Sequence, residues 1–303
     1  MIKKIITACF ILSSGYSIAQ GCSDAGFCTL GNLNPLHQKT GKQKLTIGIT
    51  NGIGDEGVYV LTPSLKYDYK INSAWEIQAK LTSNYSSGNL GSAFGLGDLF
   101  INAQHTFNAA SKWKTSLLIG TKLPLNNANL MVNGKSLPMQ YQSSLGTVDA
   151  IAGLSITNNK WLFATAVQLP LTHHNGNQFL PSTFGNAAAL KYPASNNFNR
   201  KADILLRANY EISATKKFNL NVGLLSIYHI ANDSYKDALV SNDYIEIKGS
   251  KGITLNLTTA ASFMLSKKIT IGFLAGAPVA VRDVRPDGLT RSFSLNTDLI
   301  FNF

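Results

Sequence analysis

Charged residues and long apolar runs are both scarce in this chain of 303 residues. Asp, Glu, Lys and Arg make up 14% of it, whereas a typical soluble protein contains about 25%. After residue 19, no run approaches the roughly 20 apolar residues that a membrane-spanning helix needs, and the mean hydropathy is only +0.03. These absences exclude a bundle of membrane helices. They fit a chain in which apolar and uncharged polar residues alternate finely.

The N-terminus resembles a secretory signal peptide. Lys3 and Lys4 are followed by a mostly apolar stretch, and Ala19 lies where a signal peptidase needs a small residue. A retained anchor would need a longer apolar run than this one. We therefore predict that residues 1–19 are cleaved during export and that the mature chain begins at Gln20. Loss of the two lysines lowers the formal net charge from +11 to +9.

Cysteine is also rare, with three in the chain. Cys9 leaves with the signal peptide, so Cys22 and Cys28 remain in an oxidising compartment, where a pair of cysteines is most simply a disulfide. Two thiolates with only His37 downstream make a poor zinc site, and the residues before Cys22 fit a lipoprotein signal poorly. We predict a Cys22–Cys28 disulfide and no metal site.

From about residue 44 the apolar residues recur with a period of two. In the stretch from 75 to 85, one face of an extended chain carries Trp75, Ile77, Ala79, Leu81 and Tyr85, and the opposite face is polar. Roughly ten residues of this kind can cross a bilayer as a tilted strand. The pattern predicts about twelve strands, over residues 44–51, 58–70, 74–85, 97–107, 113–123, 146–157, 161–171, 201–212, 218–230, 253–265, 269–281 and 289–303.

The connections between these strands alternate between short and long. The long ones, around 52–57, 86–96, 124–145, 172–200, 231–252 and 282–288, are rich in Asn, Gly, Ser and Pro. Short turns at one end and long loops at the other are typical of an outer-membrane barrel. We therefore predict an all-β fold over residues 44–303, an antiparallel up-and-down transmembrane β-barrel of about 12 strands with short periplasmic turns and long extracellular loops.

Aromatic residues begin four of the predicted strands that leave a short turn, namely Trp75, Trp113, Trp161 and Phe218. Amphipathic rings collect at a membrane–water interface, so we interpret this level as a periplasmic aromatic girdle. A water-soluble β-sandwich with buried tryptophans is the alternative, but its two sheets would have to bury about twelve long strands.

The C-terminal sequence predicts how the barrel closes. The last strand ends in Phe301-Asn-Phe303 and would pair with the first strand, around 45–49, which leaves no free edge. A terminal Phe with a second one two residues earlier resembles the signature by which bacterial outer-membrane proteins are recognised by the barrel-assembly machinery. Phe301 and Phe303 are therefore the predicted assembly signal.

Side-chain parity assigns a set of charged residues to the lumen. These lumen-lining candidates are Lys66, Asp68, Glu76, Lys80, Asp98, Lys114, Lys122, Asp149, Asp203, Arg207, Glu211 and Asp298. Because acids and bases nearly balance, a strongly anion-selective pore is not expected. The alternative is a salt-bridged packing that fills a small barrel. Residues 20–43 precede the first strand and are either a plug in the lumen or a periplasmic tail.

The stretch Phe94-Gly-Leu-Gly-Asp-Leu-Phe-Ile-Asn-Ala-Gln-His-Thr-Phe107 resembles the transporter-like barrels of the meta-pathway of phenol degradation, distant relatives of fatty-acid and hydrocarbon importers. The resemblance implies a barrel that moves small hydrophobic or aromatic molecules across the outer membrane. The alternative for Gly95, Gly97 and Asp98 is a rim turn with a capping carboxylate.

Other function classes find little support in the residues. No Ser lies beside a His at a defensible spacing for a hydrolase, nucleotide-binding loops are absent, and the basic residues form no aromatic-interleaved patch for nucleic acid. Nothing in the sequence calls for a cofactor. We expect a monomeric channel or transporter-like barrel, with outer-membrane lipids, lipopolysaccharide and the assembly machinery as partners. A filled barrel that serves as a surface-binding scaffold is the competing hypothesis.

Deletion of Phe303 is expected to reduce assembly more than stability. The terminal ring lies at the rim and buries only part of its surface, so its loss should cost at most about 1–2 kcal/mol. We expect less of the truncated barrel in outer-membrane fractions of cells, while the same variant refolds in detergent micelles with heat-modifiable mobility. Normal assembly in cells would contradict the signal, and failure in both settings would indicate a packing role.

Overall fold

The computed structural model describes residues 27–36, 41–108, 110–215, 217–288 and 291–303. Its strands are Gln43–Gly54 (β1), Tyr59–Lys70 (β2), Trp75–Gly88 (β3), Gly91–Phe107 (β4), Lys114–Pro124 (β5), Met131–Val132 (β6), Lys135–Ser136 (β7), Asp149–Thr157 (β8), Trp161–Pro170 (β9), Asp203–Thr215 (β10), Phe218–His229 (β11), Ser234–Asp237 (β12), Ser241–Glu246 (β13), Gly252–Met264 (β14), Ile269–Ala280 (β15) and Arg291–Asn302 (β16). Short 3-10 turns cover Phe27–Thr29, Gly31–Leu33, Asp55–Gly57, Met139–Tyr141 and Ala187–Lys191, and one helical turn, α1, covers Pro181–Phe184.

Twelve of these strands close into an antiparallel barrel in the order β1-β16-β15-β14-β11-β10-β9-β8-β5-β4-β3-β2. The ring is sealed by β1 and β16, whose register runs from Lys44 opposite Asn302 to Gly54 opposite Arg291. Every predicted strand is present. Because a closed ring pairs each strand on both sides, none of the twelve is left as an edge.

The two faces of the barrel wall differ sharply in exposure. Along β1, Ile47, Ile49 and Ile53 are 44–50% exposed, whereas Lys44 and Thr46 are each 4% exposed. The exposed row is apolar and the buried row is polar, because neighbouring side chains on a strand point to opposite faces. The outer face of the barrel is thus the apolar one. Among the described residues, no helix is long and apolar enough to cross a membrane.

The short turns at one end share a local design. Asn72 Oδ1 accepts hydrogen bonds from the backbone N–H groups of Ala74 and Trp75, each at 2.9 Å. Asn158 makes the equivalent pair of 2.7 Å bonds to the N–H groups of residues 160 and 161. These side chains take over the bonding of the turn, so the strand that follows can begin directly on a tryptophan.

The connection predicted over residues 86–96 is wrong. β3 and β4 continue into a tight hairpin whose turn is only residues 89–90. Gly95 and Gly97 lie inside β4, where Gly95 pairs with Asn84 of β3 and Gly97 lies at a shift in the register. Their role is close approach: a Cβ at 97 would stand 2.7 Å from the backbone O of Ser143, and a Cβ at 95 would stand 2.6 Å from Ser143 Oγ. The glycines let the loop 125–148 lie against the strand, so the rim-turn interpretation is also incorrect.

The outer loops pack on one another. The loops 125–148 and 171–202, together with the β3–β4 turn, bury an apolar cluster of Val58, Val60, Leu90, Leu137, Tyr141, Phe179, Phe184, Ala189 and Tyr192. Tyr141 and Tyr192 meet edge to face, with ring centroids 5.9 Å apart. Two small hairpins, β6–β7 and β12–β13, belong to these loops. The outer end of the barrel therefore carries a packed layer.

An arginine on the outer face should destabilise the barrel according to its depth. We expect Ile49→Arg, at the middle of β1, to cost roughly 2–4 kcal/mol, and Ile53→Arg, near the outer end of the same row, about 0–1 kcal/mol. Both positions present the same side chain at similar exposure, so each serves as the control for the other. Denaturant titration in lipid bilayers measures the difference. Equal costs would contradict a membrane around this face.

Candidate solute path in the barrel lumen

The charged residues predicted for the lumen lie on the inward-facing rows. Nine are buried and three, Lys80, Lys114 and Glu211, are partly exposed; the nine are Lys66, Asp68, Glu76, Asp98, Lys122, Asp149, Asp203, Arg207 and Asp298. Lys44, which also faces inward, was missed because it stands at the very start of the first strand. Parity along each strand is sufficient to find most of this set.

Ion pairs link neighbouring strands on part of the inner wall. Lys122 Nζ lies 2.9 Å from Asp149 Oδ2, and Gln168 also donates to that carboxylate. Lys44 Nζ lies 3.8 Å from Asp68 and 3.7 Å from Glu76. Each of these lysines has an acid of opposite charge next to it, as the salt-bridged packing alternative requires.

A second set of ion pairs crosses the outer mouth. His229 at the end of β11 bonds Asp203 through Nδ1 at 2.7 Å and Asp233 through Nε2 at 2.8 Å. Arg200 donates to the same Asp203. This network joins the ends of β10 and β11 to the outer loops. Asp233 and Arg200 were not predicted, because the loops have no periodicity that would reveal them.

The outer loop 281–288 also joins this network. Arg282 Nη2 donates to Asp287 at 2.5 Å, and Arg200 Nε lies 3.6 Å from Asp287. Burial alone would raise the pKa of Asp287, but the charges of Arg282 and Arg200 outweigh it and lower that pKa. The stabilisation that Asp287 provides is therefore complete above its ordinary pKa of about 4 and is lost only as the pH falls below that value.

His229 is not arranged as a catalytic base. Both ring nitrogens of His229 already contact carboxylates, and the nearby Ser250 hydroxyl donates to the backbone O of Ile247 at 2.6 Å. His174 contacts the backbone O of Asn175, and His105 packs against Trp75. Within the described residues, none of these histidines has the serine partner that a hydrolase would need.

Residues 27–36, here called the N-terminal segment, lie inside the barrel. The wall binds their backbone: Gln104 Oε1 accepts from Asn32 N at 2.8 Å, and Gln78 Oε1 accepts from Gly31 N at 3.2 Å. Gly31 has φ +43°, and a Cβ there would stand 2.5 Å from Gln104 Oε1. Only glycine therefore fits this close approach to the wall.

An arginine and a serine of the wall complete the polar contacts. Arg207 Nη1 donates to the backbone O of Cys28 at 2.9 Å and to that of Leu33. Asn32 Nδ2 donates to Ser116 Oγ at 2.8 Å. Arg207 on β10 and Gln78 on β3, which bonds Gly31, are five strands apart in the twelve-stranded ring, so the segment spans the lumen.

The segment also covers an apolar patch on the inner wall. Leu30 and Leu33 are at most 1% exposed; with Cys28 they pack in one cluster with Phe100, Leu118, Ile151, Ala164, Ala166, Leu205 and Leu225. The wall residues of this cluster, here called the apolar lumen patch, stand at inward positions where polar residues were expected. The near-apolar inward row at Leu162, Ala164 and Ala166 was the one signal of it in the sequence.

Little free space remains between the described residues in the middle of the lumen. One cavity of about 30 Å³ is lined by Lys66, Lys80, Arg207 and Asp298 among others. A neighbouring cavity of about 50 Å³ lies below the outer loops and shares Lys80. Each is large enough for only a few water molecules. The mouth at the short-turn end is wider, with about 560 Å³ lined by Lys112, Lys114, Lys160, Trp161 and Glu211 among others.

The predicted girdle and terminal residues lie together at the short-turn end. Trp75 and Trp161 begin β3 and β9, Phe218 begins β11 and Trp113 immediately precedes β5; the three tryptophans are 40–44% exposed on the outer face. Phe301 faces Leu45 of β1, and Phe303 donates its backbone N–H to the O of Gln43. Their roles in membrane seating and assembly stay predictions.

A closed twelve-stranded antiparallel barrel, apolar outside and polar inside, with loops folded at one end, belongs to the class of outer-membrane β-barrels. No family model and no curated protein matches this chain. It resembles the solved COG4313 outer membrane channel from Pseudomonas putida F1, with a TM-score of 0.61 and 13% identity over 88% of this chain and 97% of that one.

Two further solved structures are more distant. The CymD monoaromatic hydrocarbon channel has a TM-score of 0.45 and 9% identity over 95% of both chains. The KdgM porin has a TM-score of 0.44 and 8% identity over 85% of this chain and 99% of that one. Identities this low show the fold alone. The resemblance of residues 94–107 to the phenol meta-pathway barrels has no sequence match to test it.

The predicted disulfide has a direct chemical test. Cys28 is fully buried and disulfide-bonded, and Cys22, its predicted partner, lies outside the described residues. We expect unreduced outer-membrane material to take up no alkylating label, and reduced, unfolded protein to take up label on both cysteines. Labelling of Cys22 before reduction would contradict the pairing.

Proposed function

We propose that this chain is an outer-membrane channel for small hydrophobic or aromatic solutes, and that the N-terminal segment is its gate. The apolar lumen patch is the observation that carries the proposal. A water-filled pore gains nothing from Phe100, Leu118, Ile151, Leu205 and Leu225 on its inner wall, whereas a path for apolar solutes needs such a surface. The segment covers this surface with Leu30 and Leu33 in the state described.

The energetics suit a gate that solutes can displace. Two fully buried leucines contribute about 3–6 kcal/mol together, and the segment adds a few hydrogen bonds to Gln78, Gln104 and Arg207. A solute that covers the same patch would replace much of this stabilisation. Movement of the segment would also join the small central cavities to the wide mouth at the short-turn end.

The cellular setting follows from the same proposal. The chain is exported with cleavage of residues 1–19 and assembled in the outer membrane of a Gram-negative cell, as a monomer, by machinery that recognises Phe301 and Phe303. Outer-membrane lipids contact the apolar face, and lipopolysaccharide contacts the outer rim. Basic residues in the short turns, such as Lys267 and Lys268, lie beside anionic headgroups. We propose no catalysis and no cofactor.

A filled barrel that binds partners through its outer loops is the second candidate. The central lumen is nearly filled by described residues, and the tip of the β12–β13 hairpin exposes Leu239 and Val240 by 86% and 72%. Apolar side chains at a loop tip can serve as contact points for a partner. The apolar lumen patch would have no role in this second candidate function.

Conductance separates the two candidates. In planar bilayers we expect the wild-type barrel to show rare, small openings, and the double variant Leu30→Asp, Leu33→Asp to open far more often, because a carboxylate on the apolar lumen patch is strongly disfavoured. Leu190→Asp is the matched control, since Leu190 is 69% exposed on an outer loop.

A folded double variant that stays as silent as the wild type would refute the gate and favour the scaffold. Folding is checked beforehand by heat-modifiable mobility. Equal opening of the Leu190→Asp control would mean that added charge, rather than release of the segment, changes the conductance.

A further inference from the structure

Four buried polar side chains with unpaired atoms lie side by side on the inner wall. The atoms are Arg207 Nε and Nη2, Asn209 Nδ2 and Oδ1, Asn256 Oδ1 and Thr258 Oγ1. The register makes them neighbours: Arg207 and Asn256 both face Leu225, and Asn209 and Thr258 both face Gly223. Each of the four is at most 4% exposed.

Such a concentration needs an explanation. Buried polar atoms in folded proteins nearly always have a hydrogen-bond partner, and leaving one without a partner is costly. Here six atoms without a partner among the described residues share one patch across β10, β11 and β14. The Asn209 side chain lies directly over Gly223, because a Cβ at that position would stand 2.4 Å from Asn209 Nδ2. These features together indicate a binding site.

Charge identifies the kind of ligand. Other buried cations of the described chain, such as Lys122, Arg200 and Arg282, have a carboxylate within 4 Å. Arg207 instead donates to two neutral backbone carbonyls. A buried guanidinium without an anion is unfavourable, so the missing partner is an anion.

The cavity beside Arg207 is rich in positive charge. Its lining includes Arg207, Lys66 and Lys80, against one acid, Asp298. Lys66 and Lys80 stand directly opposite each other on β2 and β3, so two positive charges lie on this part of the lining. Thr258 lines the same cavity, which links the patch of unpaired atoms to the cationic wall.

The unpaired atoms of Arg207 match a carboxylate in particular. The N–H groups on Nε and Nη2 point the same way from one edge of the guanidinium, and this edge forms two parallel bonds to the two oxygens of a carboxylate. The hydroxyl of Thr258 and the amide of Asn209 supply further donors for the remaining lone pairs. Leu205 and Leu225 of the apolar lumen patch stand directly beside this group.

We propose that Arg207, Asn209 and Thr258 bind the carboxylate of a small organic acid, whose apolar part occupies the place of Leu30 and Leu33. The inference rests on the proposed function, and narrows its solutes to amphipathic acids with an aromatic or short aliphatic body. While the N-terminal segment is in place, the cavity of about 30 Å³ admits little more than the carboxylate end. The body of the solute enters as the segment leaves.

Calorimetric titration of the full-length mature barrel in detergent at neutral pH tests the site with sodium benzoate and benzyl alcohol. The two probes share a ring and differ in the carboxylate. We expect benzoate to bind at least about tenfold more tightly. Arg207→Gln should abolish this preference, and Thr258→Val should weaken benzoate binding several-fold without affecting benzyl alcohol. Lys251→Gln, which removes a cation from an exposed outer loop, should leave both probes unchanged.

Arg207 also fastens the N-terminal segment, so Thr258→Val provides the test that does not disturb the gate. Equal binding of the two probes to the wild type would overturn the proposal, and so would benzoate binding that Thr258→Val and Arg207→Gln leave intact. Displacement of benzoate by equimolar chloride would also overturn it, because the site would then be a simple halide site. Binding is measured without flux, so a silent barrel that binds benzoate would refute the channel alone.

Discussion

The closed ring of backbone hydrogen bonds between β1 and β16 is the constraint on which the rest of the molecule depends. In a bilayer no water is available to bond a free strand edge, so the sheet must return to its own first strand. Closure forces side chains to alternate strictly between two environments, and it encloses a lumen in which the N-terminal segment is bound. The inward-facing rows then carry the features that distinguish this lumen. These are ion pairs where acids and bases meet, an apolar lumen patch that includes Leu205 and Leu225, and unpaired donors around Arg207.

Much of the barrel is predictable because its signal is local. Alternation along ten residues is enough to place a strand such as β3 and to assign Glu76 and Lys80 to the lumen, since parity alone separates the two faces. The outer loops have no comparable alternation from which their contacts could be predicted. Arg200, Asp233, Arg282 and Asp287 meet only after three loops fold over the mouth, and nothing in their spacing announces that meeting.

Two features could not be predicted from local sequence patterns. Gly95 and Gly97 suggest a turn because glycine is common in turns, but here their missing side chains admit the backbone of a distant loop. The position of the N-terminal segment depends on Arg207, a residue about 180 positions away along the chain from the carbonyls that it binds. A pattern search reads neighbours in sequence, whereas both features depend on neighbours in space.

The β3–β4 hairpin has a consequence for the direction in which the barrel responds. With 14 and 17 residues, these strands extend the barrel wall to the turn at residues 89–90, and Tyr141 bonds Ser86 and Leu90 there. The packed layer of outer loops is therefore already ordered, and it has little conformational entropy left to lose when a ligand binds to it. The N-terminal segment is instead held inside the lumen by side chains of the barrel wall, such as Gln104 and Arg207. If the N-terminal segment is the proposed gate, the two openings differ in compliance: a ligand at the outer loops meets a packed apolar cluster, whereas a ligand at the short-turn end meets a short segment that can be displaced.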